Sequence, residues 1–297
     1  NCARMAKARA LERRRRSVRN IRKITRTMEL ISTARFKRAM DRALAASAYT
    51  QRLTNLLRHL LQAGTEISHP LMQSRPQIRS ALVLVLTSNR GLCGGFNSGV
   101  LRLALAHLRS LRTKVEKIRV EVSGKRGISA FKYRRIPVDE RFTHFDARPQ
   151  FEDVEKLAVR YWDAFSKGEV DQIDLVYTKF ESASRQYPVV ETLLPLSSLN
   201  MEEENGPLHA VEYEFLPSPE SILEEIVPTA YKMRLFRCFL ESAAAEQIAR
   251  MVAMKSATEN ADTMLANLSI AYNRARQTQI TSEILEIVSG AEALEKQ

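Results

Sequence analysis

The fold is decided by Thr229–Ser289, TAYKMRLFRCFLESAAAEQIARMVAMKSATENADTMLANLSIAYNRARQTQITSEILEIVS, which contains neither glycine nor proline. Nothing in it breaks a helix. Its larger apolar residues recur at helical spacing: Leu235, Phe239, Ile248, Met251, Leu265, Leu268, Tyr272, Ile280, Ile284 and Ile287. Continuous helix over this span measures roughly 90 Å at about 1.5 Å per residue, far beyond the diameter of a small domain. Such a helix needs a long partner.

The start of the chain supplies one. Gly64 is the first glycine, and no proline precedes it. Val18, Ile21, Met28 and Ile31, followed by Leu53, Leu56 and Leu60, draw an apolar stripe on a second helix. Two long helices at opposite ends of one chain, each with a narrow apolar seam, read as an antiparallel coiled coil. Small residues (Ala34, Ala39, Ala43 and Ala46 against Ala243, Ala244, Ala245 and Ala249) allow the axes to approach closely. A large helical bundle is the weaker alternative, because the middle of the chain is not helical in pattern.

Charge is unevenly distributed. The chain has 297 residues and a formal charge of +12, yet residues 1–62 hold 17 Lys and Arg against 3 Asp and Glu, a net of +14. The first helix is a positively charged rod, whose partners should be acidic. Three scattered cysteines (Cys2, Cys93, Cys238) imply neither a disulfide framework nor a metal site, and they suit a reducing compartment. No apolar run approaches the roughly 18–20 residues needed to span a membrane. The start lacks the apolar core of a secretory signal. Its arginine-rich composition resembles the end of a transit peptide, but Met5 is preferred as a start followed by a basic helix.

The middle of the chain has a different rhythm. Pro70 and Pro76 lie in a linker over Gly64–Arg79. Ala81–Thr87 (ALVLVLT) is a continuous apolar, β-branched run, as expected of a strand buried on both faces. The turn SNRGLCGGF and an amphipathic helix over Ser98–Leu111 follow. Ile118–Val122 predicts a strand, Gly124–Phe131 a short helix and Ile136–Val138 a third strand. Phe151–Ser166 predicts a helix with Trp162 and Phe165 inward, and Gln172–Phe180 and Tyr187–Leu194 predict two strands. Glu202–Glu204 with Gly206 and Pro207 reads as a loop, Val211–Leu216 as an edge strand, and Ser218 as the cap of the return helix, with a kink expected at Pro228. The fold class is therefore α/β plus a long antiparallel coiled coil, with a small doubly wound, Rossmann-like domain inserted between the two shaft helices. The expected divisions are 5–64 for the N-terminal helix, 65–217 for the α/β domain and 218–297 for the C-terminal helix.

Catalytic chemistry finds no support. Strand, glycines and helix is the order in which α/β folds bind phosphate. The turn nevertheless reads G-L-C-G-G, without the G-x-G-x-x-G spacing or the G-K-[ST] of a P-loop, so the glycines serve a tight turn and Arg90 points to a partner. The five histidines form no H-x-x-x-H or H-E-x-x-H pair, so no metal is expected. Cys93 has no assignable base and reads as a small buried residue, and Glu283 with Glu286 reads as a solvated face. No catalytic, metal-ligating or cofactor-binding residue is assigned.

A family resemblance enters through the last motif. ITSEILEIVSGAEA (Ile280–Ala293) is similar to the C-terminal signature of the gamma subunits of F-type ATP synthases, with Thr281, Glu283, Glu286, Gly290 and Ala291 at its fixed spacing. RSVRNIRKITRTMELISTARFKRA (Arg16–Ala39), SNRGLCGGFN (Ser88–Asn97), RMVAMKSATENA (Arg250–Ala261) and YNRARQ (Tyr272–Gln277) resemble the same family, in the same order. From about Ser110 to Leu216 the resemblance is one of pattern only. The cysteine-bearing regulatory insert of chloroplast forms has no counterpart, so thiol regulation is not expected.

The resemblance implies a non-catalytic central shaft inside a hexamer of three alpha and three beta subunits, with the α/β domain beside the epsilon subunit and the ring of c subunits. ATP and magnesium then bind on other subunits, and no cofactor is expected here. Contact with the membrane is expected only through the complex, at the cytoplasmic face of a bacterial plasma membrane or the matrix side of a mitochondrial inner membrane. By matching motifs, Met28 should lie where the shaft passes the acidic lever loops of beta. Arg276 and Gln277 should meet the loop that catches the shaft, with Arg90 a further contact. Ile280, Ile284, Ile287 and Val288 should form an apolar bearing tip. The runner-up is a basic coiled coil that binds nucleic acid, suggested by Arg13–Arg16. Against it, the apolar seam runs through the basic region instead of starting after it.

Overall fold

The two chain ends free of glycine and proline fold as long helices, α1 (Cys2–Gln62) and α5 (Pro219–Glu295). The structure is a computed structural model that describes residues 2–62, 71, 75, 77–145, 148–196 and 219–295. The expected loop at Glu202–Glu204, the strand at Val211–Leu216 and the cap at Ser218 lie outside the described residues. The chain divides into two compact units, Asn1–Ile31 with Met251–Gln297, and Ser32–Arg250. Each unit takes a segment of both helices.

In the first unit the two helix segments run antiparallel. Arg15 lies over the ring of Tyr272 at 4.7 Å, Arg22 pairs with Asp262 at 2.5 Å, and Thr258 Oγ1 donates to Thr25 Oγ1 at 2.9 Å. As the α1 number rises, its α5 partner falls. Val18 packs with Ala261 and Leu268, flanked by Leu11 and Leu265. On α5 one row of buried and half-buried positions runs through Met254, Thr258, Ala261, Leu265, Leu268, Tyr272, Ala275 and Gln279, in alternating steps of four and three. This is the spacing by which one helix keeps a single face toward another.

The seam keeps part of the apolar stripe expected from the sequence: Leu53 and the alanines Ala39, Ala43 and Ala46 are buried and Leu56 is half-buried, but two of its large residues turn outward. Val18 is buried, but Ile21 and Ile31 are 50% and 46% exposed, and Met28 is half-buried. One row of buried positions on α1 steps by seven through Val18, Thr25, Ser32, Ala39, Ala46 and Leu53, and a second through Ala43, Thr50 and Leu57. Ile21, three residues after Val18, falls to one side of the first row. Burying the hydroxyl of Thr25 is tolerable because Arg22 O and Thr258 Oγ1 both bond it.

The second unit holds a five-stranded sheet in the order β3-β2-β1-β4-β5. Its strands are β1 (Ser80–Leu86), β2 (Lys117–Ser123), β3 (Glu140–Phe142), β4 (Gln172–Phe180) and β5 (Gln186–Leu194). The first four are parallel, and β5 runs antiparallel to β4. The helices α2 (Phe96–Arg112), α3 (Lys125–Tyr133) and α4 (Phe151–Ser166) make the crossovers. The apolar run of β1 serves two cores because successive side chains point to opposite faces. Ala81, Val83 and Val85 pack under α2 and α3 with Val100, Leu108 and Phe131. Leu82, Leu84 and Leu86 face the other way, toward Tyr161 and Phe165 of α4, Leu53 and Leu57 of α1, and Leu235 and Phe239 of α5.

The third strand lies later than expected. Ile136 and Val138 are half-buried against the α2 core and form no ladder, and pairing to β2 starts at Glu140. Pro137 carries no N–H to donate. Asp139 makes the junction: its N–H donates to Val120 O at 2.8 Å, and its carboxylate accepts the Val120 N–H at 2.7 Å. At the far end of the chain, α5 continues unbroken through Pro228.

Half-buried charge fastens α5 to the sheet. Glu191 of β5 accepts from Arg234 Nε at 2.7 Å, Arg237 Nη2 at 3.1 Å and the Tyr177 hydroxyl at 2.7 Å. Burial disfavours its charge, but the two guanidinium groups and the phenol outweigh that and lower its pKa from 4.5 to about 2. The stability this ionisation contributes is present above the unfolded value, and it is lost as pH falls from about 4.5 through about 2. Glu191→Gln should therefore cost roughly 3 kcal/mol at pH 7, where it removes the counter-charge of half-buried Arg234 and leaves half-buried Arg237 only Glu241. Urea denaturation should show the gap to wild type closing as pH is lowered through that window.

Candidate functional site

In an open α/β sheet of this order, ligands bind outside the carboxyl ends of the strands, where the strand order reverses. Here that point lies between β1 and β4. The turn leaving β1 is tightly tied. The Ser88 N–H donates to Asn97 Oδ1 at 2.9 Å, Ser88 Oγ donates to Arg90 O at 2.6 Å, and Asn97 Nδ2 donates to Ser88 Oγ and to Cys93 Sγ. Arg250 of α5, 5% exposed and paired with Glu246 at 2.6 Å, donates to the carbonyls of Gly91 and Arg90. A Cβ at Gly91 would stand 2.7 Å from the end of the flexible Arg126 side chain, which can swing aside. Leu92 has φ 65° and is 59% exposed, an uncommon backbone for leucine. Cys93 is buried, and the Arg90 side chain is exposed.

The crevice itself is filled by the chain. Cys93 and Phe96 from the β1–α2 junction and Phe180 at the end of β4 form one apolar cluster with Ala39 of α1 and Ala244 and Ala245 of α5. Phe36, Met40 and Ala249 pack around it, with the Phe36 and Phe180 rings edge to face at 5.8 Å. The alanines let both helices come close to the strand ends. A mononucleotide placed there would overlap these side chains. No side chain caps the first turn of α2. Among the described residues, no group of three or more His, Cys, Asp or Glu could hold a metal, and no helix is long and apolar enough to cross a membrane.

The other residues singled out from the sequence lie in the first unit. Arg276 and Gln277 are exposed on α5, one turn before Ile280. Ile280, Ile284, Ile287 and Val288 are exposed as well, Ile287 at 71%, and they form an apolar strip in which Ile284 follows Ile280 by four residues, and Ile287 and Val288 follow Ile284 by three and four. Leu285 adds to the exposed apolar surface and escapes a reading built on one helical face. Of the motif residues, Thr281, Glu286 and Ala291 are exposed, Glu283 is half-buried and accepts from Gln279 Nε2 at 2.8 Å, and Gly290 continues the helix. On α1, Ile21, Ile24, Met28 and Ile31 follow one another at spacings of three, four and three, and all but half-buried Met28 are exposed. Arg90 belongs to the second unit. Each long helix thus keeps part of its apolar surface uncovered by this chain.

A family model described as ATP synthase matches residues 7–294. An ATP synthase gamma chain of Rhodopirellula baltica is 55% identical over 98% of this chain and 100% of its own length. The chain belongs to the gamma-subunit family of F-type ATP synthases. The ATP synthase gamma chain of Leptospira biflexa is 38% identical, again over 98% of this chain and 100% of its own. The fold also matches cryo-EM structures. One is the central stalk and c-ring of the Tetrahymena thermophila mitochondrial ATP synthase, with TM-score 0.56 and 21% identity over 79% of this chain and 99% of that one. Another is the Euglena gracilis mitochondrial enzyme, with TM-score 0.65 and 16% identity over 97% and 95%. Gamma chains that match end to end give the nucleic-acid reading of Arg13–Arg16 no support. A gamma subunit is a non-catalytic part of its complex, which accords with a crevice packed by its own helices.

That packing makes an expectation. Titration of the purified chain with ATP in a calorimeter should give no binding at micromolar concentration, and the chain alone should release no phosphate from ATP. A micromolar dissociation constant would mean that the helices leave the crevice in solution.

Proposed function

We propose that this chain is the central rotary shaft of a proton-translocating F-type ATP synthase. As such, it couples ion flow through the membrane sector to sequential conformational change of the catalytic beta subunits. The observation that carries the reading is the 55% identity to a gamma chain along the whole length of both sequences. The antiparallel contacts of Arg15, Arg22 and Thr25 with Tyr272, Asp262 and Thr258 support reading α1 and α5 as an antiparallel coiled coil. The working division is residues 5–64 and 218–297 for the shaft and 65–217 for the α/β domain.

A rod can drive a site only if it meets that site's states differently. It therefore needs surface to offer its surroundings. On α5, Ile280, Ile284, Ile287 and Val288 suit a tip turning in the apolar sleeve of the alpha and beta subunits. On α1, the outward row through Met28 lies among arginines and lysines, which suits passage beside acidic lever loops of beta. Arg276 can hold a carboxylate bidentately, and Gln277 beside it adds an amide. Arg90 stands out from a turn fixed at its backbone, so it is a further contact for the same partners. The α/β domain is assigned to the epsilon subunit and the c ring. The complex is membrane-associated; the face is proposed to be cytoplasmic in a bacterium, or the matrix side in a mitochondrion. The c ring selects the coupling ion.

Replacing Arg276 and Gln277 together with alanine separates a grip from a simple prop. Charge-assisted bonds contribute roughly 1.5–3 kcal/mol, so contacts remade in every step should lower turnover by about tenfold or more in an intact complex. Contacts that only hold the shaft would weaken assembly and leave turnover unchanged. With the native cysteines replaced, a disulfide between Met28→Cys and a cysteine on the beta lever loop should stop steady-state turnover until reductant is added. Full activity with the crosslink complete would exclude rotation against beta.

A further inference from the structure

The amino ends of β1 and β2 border an exposed basic surface. Helices α2 and α3 both run back against the parallel strands, so both finish at this end of the sheet. The β2 pairing begins beside β1 at Ser80 and Lys117, and the Glu116 N–H donates to Arg79 O. Leu111, Val115, Ile118, Phe131 and Ile136 share one apolar cluster beneath. Around it stand Lys114, Lys117, Lys132, Tyr133, Arg134 and Arg135, all exposed. Among the described residues, none of these five cations makes an ion pair. Glu116 is the exposed acid beside them, and the carboxylate of Asp139 is committed to the Val120 N–H.

Two details show that this surface is more than a solvated edge. The first is the end of α3. Ile136 N donates to Phe131 O and Arg135 N donates to Lys132 O, the paired bonds of a Schellman cap, with Ile136 packed in the same cluster as Phe131. The left-handed residue of that cap is usually glycine, yet here it is Arg135, with φ 56°. Favourable contact with the helix dipole explains Lys132 in the last turn. It does not explain a large cation at the strained position. The second detail is Tyr133, 90% exposed between Lys132 and Arg134. An amphipathic ring flanked by cations is the composition that settles at a membrane–water interface, ring among the glycerol groups and charges on the phosphates.

We propose that this rim is a docking surface for the anionic headgroup layer of a phospholipid membrane, a direct contact where the family resemblance alone implies contact only through the complex. Lys132, Arg134 and Arg135 would pair with lipid phosphates, Tyr133 would enter the interface, and Lys114 and Lys117 would add long-range attraction. The choice of lipid over another polyanion rests on the reading of this chain as part of a membrane-associated synthase. The site is independent of the contacts to beta.

The test uses the full chain and vesicles of about 30 mol% phosphatidylglycerol in phosphatidylcholine, with pure phosphatidylcholine as control. Because α1 is also basic, two charge-reversal variants are compared: K132E/R134E/R135E at the rim, and R13E/R14E/R16E on the helix. Sedimentation at low salt should show at least about a tenfold weaker affinity for the rim variant and a smaller change for the helix variant. Y133W in a W162F background places the reporter. Its emission should shift to the blue and be quenched by brominated phosphatidylglycerol, and added salt should reverse both. Equal loss in the two variants, or an indole that brominated lipid does not quench, overturns the proposal. So does a rim variant that loses binding to RNA while keeping its vesicle affinity. Co-purification of the unmodified chain with the ATPase subunits tests the shaft assignment separately; a rim variant that alone fails to co-purify would make the rim a subunit contact and overturn the proposal.

Discussion

The second unit depends on the burial of strand ends by helix sides. A parallel sheet with helices on both faces still leaves its carboxyl edge open, and in many folds that edge is where a ligand is held. Here Phe36 and Ala39 of α1 and Ala244 and Ala245 of α5 fill it, meeting Phe96 and Phe180. The same helices continue along one face of the sheet through Leu53, Leu57, Leu235 and Phe239. The domain is thus clamped on the helices at an end and on a face. Small residues are needed at the end, where backbone must approach strand tips, and large ones on the face, where a layer has to be filled. The alanine run at Ala243–Ala245 follows from that geometry.

The first unit obeys a different rule. Its seam carries Val18, Thr25, Ala261 and Leu268, and much of its large apolar surface (Ile21, Ile24, Ile284, Ile287) is turned outward. A monomeric domain would place those residues inward. A rod whose working surface is its outside has reason to reverse the arrangement, keeping only enough within the seam to fix its register. The Thr25–Thr258 pair serves that end, because two hydroxyls must meet each other and cannot slide past as two leucines could.

How much of this was readable beforehand varied with the physical signal. The run ALVLVL could only be a strand buried on both sides, and the limits of α4 and β4 followed from clean periodicity. The third strand was misplaced because Ile136 and Val138 look like a ladder while Pro137 cannot join one. On α1 the alanines Ala39, Ala43 and Ala46 and the ends of the stripe, Val18 and Leu53, are legible, whereas Ile21 and Ile31 mislead because large side chains usually mark burial and here Thr25 and Ser32 hold the seam. Candidate contacts such as Arg276 and Arg90 came from motif resemblance, not from any local pattern. The Glu191 network left no trace in the sequence, since its members sit on β4, β5 and α5 and only folding brings them together. Leu92 was unreadable for another reason: a backbone angle is not written in side-chain pattern.

The Glu191 cluster bears on how faithfully force crosses from the sheet to α5. Apolar surfaces resist separation but tolerate sliding, because their attraction has no preferred direction. Hydrogen bonds weaken steeply when their angles change. Arg234 and Arg237 reach Glu191 from successive turns of α5, Tyr177 reaches it from β4, and Arg237 also pairs with Glu241. A screw displacement of α5 against β5 would misalign several of these at once. The joint therefore behaves as a spline with little backlash, and elastic yielding under load falls to the segments of α5 that lack such fastenings.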